Sequence, residues 1–310
     1  MKILVFGTGG VGGYFGGRLA QVGHEVSFIA RGAHLEAIKQ NGLQIKSIDG
    51  DFLLKKVCVT ANPKELKPDF DLILLGVKSW QVAAIIPDIK ALLQEHTMVL
   101  PLQNSVAHIA QLQETIPAEN LLGGFCRIYA KVEAPGVINH FGFPPELIFG
   151  NLTQVTNDKV ESINSELEKA SFKTTLSQDV LSDMWKKYIF INTVSGLGAL
   201  TRVSIGAMFE NKGTRTLLHR TIEEMLEIAK ALRINLPDGF DQTMLSFIES
   251  QPYKATASTQ RDIMEGRPSE LENFNGYIVK QGKKLGVLTP VNAFIYNCLL
   301  PQEQIARGLK

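Results

Sequence analysis

The first half of the chain alternates short apolar runs with helical patterns. Residues 2–6, Lys-Ile-Leu-Val-Phe, have strand length, and the apolar positions over 11–22 recur at helical spacing. A second strand is predicted over 25–30 and a short helix over 33–40, stopped by Asn41-Gly42. Residues 71–77, Asp-Leu-Ile-Leu-Leu-Gly-Val, are apolar almost throughout, as a parallel strand covered on both faces must be. Residues 97–102 read the same way, with a helix over 79–94 between the two. Further strands are expected over 121–130, 137–141 and 147–149, joined by Gly/Pro turns and closing the sheet with some antiparallel pairing. An amphipathic helix over 157–170 ends this half.

From about Asp179 the pattern changes to helices alone, over 180–197, 214–232, 240–249, 270–285 and 291–300. Ser269 is placed to cap the 270–285 helix, and Gly286, with Pro290 beyond it, to stop it. A length of 310 residues fits two domains of roughly 150 each.

The turn after the first strand reads Gly7, Thr8, Gly9, Gly10, Val11, Gly12, which contains GxGxxG at Gly7, Gly9 and Gly12. Gly10, Gly13, Gly16 and Gly17 crowd the same region, so the spacing alone is weak. Its place between a strand and a helix gives it force. Gly7 permits the tight turn, Gly9 lets backbone approach a pyrophosphate, and Gly12 lets the helix pack on the strand. The amide N–H groups at the helix start then face the phosphates. The expected fold class is therefore α/β: an N-terminal Rossmann-type doubly wound sheet over 1–177, followed by an all-helical domain over 178–310.

The end of the second strand selects the cofactor. NAD binders place an Asp or Glu there for the ribose hydroxyls. Here the strand ends Phe28-Ile29-Ala30-Arg31 without an acid. A guanidinium can grip a 2′-phosphate that a carboxylate would repel, so Arg31 favours NADP(H).

Composition adds mainly exclusions. Hydrophobic residues make up 45% and charged residues 20%, which argues against disorder. The formal net charge of +1 and the lack of a basic run give no pull toward nucleic acid. Cys58, Cys126 and Cys298 lack metal or redox spacing and read as buried, reduced thiols. No apolar segment has membrane-spanning length, and Met1-Lys2 leads directly into a strand rather than a signal peptide. A cytoplasmic protein with no membrane partner is expected.

Ligands of an open α/β sheet sit beyond the carboxyl ends of its strands. Lys78 and Asn104 stand there, after 71–77 and 97–102, although a solvated lysine and a helix N-cap would account for them equally. A second signal is Trp185-Lys186-Lys187 in an otherwise apolar helix. A positioned ammonium stabilises the alkoxide formed when a ketone is reduced, and supplies its proton. Two surface lysines with packed apolar stems are the alternative. Ser258, Asp262 and Glu270 form a third group, for which helix-start chemistry at Glu270 is an equal explanation.

Together these positions resemble the ketopantoate reductase (2-dehydropantoate 2-reductase) family over nearly the whole chain. The residues that carry the resemblance are Lys2-Ile3 through Gly12, Gly23-His24-Glu25-Val26 leading to Arg31, Val77-Lys78-Ser79-Trp80-Gln81-Val82, Gln103-Asn104, Trp185-Lys186-Lys187, and Glu270 with Asn275-Gly276. The resemblance implies NADPH-dependent reduction of ketopantoate to pantoate, on the pathway to coenzyme A. It makes Lys187, rather than Lys186, the general acid. It gives Glu270 the binding of substrate or cofactor hydroxyls, puts Lys78 and Asn104 beside the nicotinamide and substrate, and has Ser258 help hold the substrate carboxylate. Arg31 falls where the family grips the 2′-phosphate.

The family pattern has asparagines four and eight residues after the catalytic lysine, where this chain has Ile191 and Ser195. Asn192 lies one place off, about 100° around a helix. Cofactor and reaction class are untouched by this, but the substrate is opened to another small branched 2-keto acid. An NADP-binding sensor without chemistry is a third reading, and it would need neither Lys187 nor Glu270. Pairing of the helical half into a homodimer stays open.

Overall fold

The computed structural model describes residues 1–153 and 158–309. The chain divides into two compact units, one of residues 1–103 and 108–180, the other of residues 104–107 and 181 onward. The sequence reading set the division at 177–178 and had no place for the short segment 104–107.

Up to residue 176 the elements are β1 (Lys2–Phe6), α1 (Gly10–Gln21), β2 (Glu25–Ile29), α2 (Gly32–Asn41), β3 (Leu43–Ser47), β4 (Phe52–Leu54), β5 (Cys58–Thr60), β6 (Leu72–Leu75), α3 (Val82–Leu92), β7 (Met98–Pro101), α4 (Ala107–Gln113), β8 (Leu122–Arg127), β9 (Ala130–Ala134), β10 (Val137–His140), β11 (Glu146–Asn151), α5 (Asp158–Leu167) and β12 (Lys173–Leu176). The central sheet is parallel throughout, in the order β5-β2-β1-β6-β7. Successive residues of a strand face opposite sides. Ile3, Val5, Leu72, Leu74 and Leu100 accordingly pack with Phe15 and Leu19 of α1, while Leu4, Phe6, Ile73, Leu75 and Val99 pack with Val82, Ile85 and Ile89 of α3. Both faces are covered, as in a doubly wound sheet.

The later strands do not close this sheet, contrary to expectation. Residues 121–130 break at 128–129 into β8 and β9, which enter different sheets. One has the order β4-β3-β10-β9, with β10 parallel to β3 and antiparallel to β9. The other has the order β12-β11-β8; it packs beside β7 of the central sheet and is joined to it by a backbone bridge from Val99 to Leu121.

The reason lies in α1, which is buried on all sides from Gly12 to Leu19. A methyl group at Gly16 would lie 2.5 Å from Val5 Cγ2, one at Gly13 2.8 Å from Ile138 Cγ1, and one at Gly17 3.1 Å from Ile45 Cγ1. The helix thus has the central sheet on one side and β3 and β10 on the other. The strands β3, β4, β5 and β12 are three to five residues long, too short to show a period, and β3, β5 and β12 also mix polar with apolar positions.

Smaller differences have local causes. Residues 79–81 form a 3₁₀ turn ahead of α3. The expected helix start at Asn157 lies outside the described residues. Cys126 is buried as expected, but Cys58 and Cys298 are exposed, Cys58 on an edge strand and Cys298 on the outer side of the last helix.

The second unit contains α6 (Val180–Thr201), α7 (Ile205–Glu210), α8 (Lys212–Ala231), α9 (Phe240–Glu249), α10 (Ser258–Met264), α11 (Tyr277–Leu285) and α12 (Pro290–Ala306). The helix expected over 270–285 is not a single α-helix. A π-helical turn occupies Glu272–Gly276 before α11 begins. Ser269 accepts the Leu271 N–H at 3.2 Å but therefore caps no α-helix. Gly286 does end α11, in the left-handed conformation (φ +71°). Among the described residues no helix is long and apolar enough to cross a membrane, and no cluster of His, Cys, Asp or Glu could hold a metal ion.

His108, in α4, is fully buried, and neither ring nitrogen has a hydrogen-bond partner. Burial pushes its pKa down to about 3, against an ordinary 6.5. Below about pH 6.5 the unfolded chain binds a proton that the folded chain refuses, so the folded state loses stability as the pH falls from there toward 3. The expected measurement is urea unfolding of wild type and His108→Leu. Their stability difference should be flat above about pH 7 and shift against wild type by up to about 1.4 kcal/mol per pH unit below about pH 6.

Candidate active site

In the first unit the glycine turn links β1 to α1. Gly7 has φ +102°, and a methyl there would lie 2.8 Å from the Val77 nitrogen. Thr8 is buried and bonds the end of β2 twice, its N–H at 3.0 Å and its hydroxyl at 2.8 Å from the Ile29 carbonyl. This fixes the turn to the strand end that carries Arg31 two residues later. Arg31 is exposed and precedes the first residue of α2.

A methyl on Gly10 would lie 2.4 Å from the Ala130 carbonyl oxygen, and one on Gly12 2.1 Å from that of Gly7. Gly9 differs: a methyl there would meet no protein atom within 4 Å, and its φ of −80° and ψ of −164° suit any residue. Protein packing does not require glycine at this position, whereas close approach of a phosphate to the backbone would. The turn thus fits a dinucleotide.

Lys78, exposed, follows the end of β6, and its N–H donates to Gln81 Oε1 at 3.1 Å. Gln81 therefore shapes the turn that carries Lys78. Gln103 Nε2 donates to the carbonyls of Leu75 (2.8 Å) and Val77 (2.9 Å), tying the ends of β6 and β7.

In the second unit the structure brings Asn104 and Lys187 together across 83 residues, with Lys187 Nζ donating to Asn104 Oδ1 at 2.7 Å. Buried Trp185, Tyr188 and Ile189 fix this part of α6. The adjacent Lys186 instead pairs with Asp183 at 3.0 Å, both more than a third exposed. Such a surface pair contributes at most about 1 kcal/mol. The two lysines are thus separated by environment.

Ile191 and Ser195 follow Lys187 by one and two helical turns, on the same face of α6. Ile191 is half-buried; Ser195 is fully buried and its hydroxyl has no hydrogen-bond partner. Asn192 has a different task. It donates to Asn292 Oδ1 at 3.0 Å, as Asn275 also does, and Asn292 donates its own N–H and amide to Glu224 at 2.9 and 2.8 Å. Asn192 and Asn275 thus belong to a polar knot in the helical core.

Glu270 is 3% exposed and its carbonyl accepts the Phe274 N–H at 2.9 Å. The residue before it is clamped by α12. Glu303 accepts the Ser269 N–H at 3.0 and 3.1 Å, and Arg307 donates to the Ser269 carbonyl at 2.7 Å. Ser258, half-buried, begins α10. Asp262 is paired with Arg267 at 2.8 and 3.2 Å, so its carboxylate is engaged within its own loop. Sequence reasoning missed Ser105, Tyr188 and the π turn, whose contacts are described below. The only sequence signal was that Ser105 and Tyr188 directly follow Asn104 and Lys187.

Known proteins resemble this chain over nearly its whole length. The family described as "Ketopantoate reductase PanE/ApbA" matches residues 3–154, and its C-terminal counterpart, "Ketopantoate reductase PanE/ApbA C terminal", matches residues 179–303. A 2-dehydropantoate 2-reductase from Nostoc sp. is 28% identical, with 99% of this chain and 95% of that protein aligned. The crystal structure of a PanE/ApbA family ketopantoate reductase from Ralstonia eutropha JMP134 has a TM-score of 0.89 at 28% identity, covering 99% of this chain and 100% of that one. D-mandelate dehydrogenase, solved with NADH and anilino(oxo)acetate, gives a TM-score of 0.89 at 25% identity over 99% and 100% of the two chains.

The glycine turn supplies a test. Gly9→Ala should hold or raise the melting temperature, because the unfolded chain loses freedom and nothing in the fold is displaced. It should at the same time weaken dinucleotide binding by about tenfold or more, as a methyl intrudes on the phosphates. Gly12→Ala should lower the melting temperature as well, through overpacking of about 1–3 kcal/mol. Thermal melts and dinucleotide titrations of both variants distinguish these outcomes.

Proposed function

The chain belongs to the ketopantoate reductase family, and from that premise we propose that it reduces ketopantoate to pantoate with NADPH. The observation that carries the reading is the Lys187–Asn104 hydrogen bond of 2.7 Å. It sets Lys187 apart from Lys186 and joins it to a residue that follows a strand end, and ligands of this fold class bind beyond strand ends.

NADPH, when bound, supplies the hydride. The turn from Gly7 to Gly12 offers its N–H groups to the pyrophosphate, Arg31 grips the 2′-phosphate, and Lys78 and Asn104 serve the nicotinamide end. Lys187 stabilises the charge that develops on the keto oxygen and gives that oxygen a proton, completing the hydroxyl. An acceptor at its Nζ holds the ammonium in one direction. Glu270 holds a hydroxyl of substrate or cofactor, and Ser258 helps to hold the substrate carboxylate.

Ile191 and Ser195 favour a second reading. The half-buried sec-butyl side chain of Ile191 and the buried Ser195 hydroxyl, without a partner among the described residues, differ in shape and bonding capacity from two asparagines. They suit another small branched 2-keto acid as well as ketopantoate. D-mandelate dehydrogenase shows that close relatives of this fold carry other names.

Lys187→Ala should lower turnover by about 10²- to 10⁴-fold while the Kd for NADPH stays unchanged, and Lys186→Ala should leave turnover near wild type. Unchanged turnover in Lys187→Ala would remove Lys187 from the mechanism. A panel of 2-keto acids assayed with NADPH decides the substrate, and ketopantoate among the poorest would replace the first reading by the second. Arg31→Ala should raise the Kd for NADPH by about 10- to 100-fold, the loss of a charge-assisted contact, and leave the Kd for NADH unchanged.

A further inference from the structure

The π turn over Glu272–Gly276 has an effect on the Lys187–Asn104 pair. A π turn shifts the i→i+4 register, and the carbonyls it frees must find other donors when buried. Two hydroxyls supply them. Ser105 Oγ donates to the Asn273 carbonyl at 2.7 Å, and the Tyr188 hydroxyl donates to the Phe274 carbonyl at 2.8 Å and to that of Asn273 at 3.3 Å. Ser105 is 1% exposed and Tyr188 0%. Ser105 Oγ also accepts the Ala107 N–H at 2.9 Å, which leaves its one proton for Asn273. Burial pushes the Tyr188 phenol well above its ordinary pKa, so it remains a donor.

Ser105 is the residue after Asn104, and Tyr188 the residue after Lys187. The two ends of the 2.7 Å hydrogen bond are therefore each anchored, one residue away, on consecutive carbonyls of the same turn, and that turn begins two residues after Glu270. Lysine has a four-carbon stem with many rotamers, and one backbone anchor for each partner leaves the pair a single arrangement.

We propose that Ser105 is a positioning residue for reduction: through the Asn273 carbonyl it fixes Asn104, and through Asn104 the direction of the Lys187 ammonium. The inference rests on the role given to Lys187 above. Removing the hydroxyl takes the shorter side-chain bond from the Asn273 carbonyl, leaves the longer one from Tyr188, and frees the Asn104 loop to shift. Misplacement on the order of 1 Å can lower a rate by about 10²-fold.

The test is a double-mutant cycle on the whole protein, read by single-turnover oxidation of NADPH with the best keto acid. Ser105→Ala should lower the rate about 10- to 100-fold, with KM for the keto acid and Kd for NADPH within about twofold of wild type. Ser105→Thr, which keeps the hydroxyl, should recover most of the rate. In the Lys187→Ala background Ser105→Ala should cost nothing further, since its effect passes through Lys187. Full multiplication of the two losses would overturn the proposal, as would an NADPH affinity that falls as far as the rate. If Ser105→Ala does not fold, Tyr188→Phe is read in the same cycle by the same criterion. A wild-type rate in Ser105→Ala beside an inactive Lys187→Ala sinks this inference alone; a wild-type rate in Lys187→Ala sinks the functional reading beneath it.

Discussion

Backbone contact around the first turn of α1 is the constraint on which the first unit depends. Gly7, Gly12 and Gly76 lie so close that a methyl on Gly12 would stand 2.1 Å from the Gly7 carbonyl oxygen, and one on Gly76 2.8 Å from the Gly12 Cα. β1, β6 and α1 can meet only with no side chain among them. The same helix then continues as a spacer between two sheets, with Gly16 toward Val5 and Phe28 and Gly13 and Gly17 toward Ile138 and Ile45. The glycines that made the GxGxxG spacing look unspecific are the ones that let α1 be buried on both sides. Of the motif, Gly9 alone has open space around it, so packing of the fold places no demand for glycine there.

The helical unit uses polar groups where the first uses glycine. Glu224, Asn292, Asn192 and Asn275 link α8, α12, α6 and the π turn through hydrogen bonds of 2.8–3.0 Å, all nearly or fully buried. A buried network of this kind fixes one helix arrangement, because any slip leaves amides or a carboxylate unsatisfied. Arg307 and Glu303 of α12 likewise hold the backbone of Ser269 next to Glu270. The C-terminal helix therefore fixes the segment that leads into Glu270.

These contacts explain why a lysine pair that is ambiguous in sequence becomes two different residues in space. Lys186 is met by Asp183, three residues away on the same helix, whereas Lys187 is met by Asn104 from a distant part of the chain. A local pair can be guessed from i,i+3 spacing. A contact over 83 residues cannot.

The sequence by itself determined the parallel sheet, the dinucleotide turn and the change to helices after residue 179. Each is written in a local period or in a residue type that backbone geometry demands: continuous apolar runs, glycine after a strand, apolar positions at helical spacing. It did not determine the pairing of β3 with β10, the breaking of 121–130 between two sheets, or the π turn after Glu270. Those depend on partners far along the chain, and the short strands involved have too few residues to show a period. Tertiary structure also gave Asn192 to the core and left Ile191 and Ser195 on the face of Lys187. One residue of rotation on α6 separates a structural amide from the face that carries Lys187, and only packing against α8 and α12 decides which way that face turns.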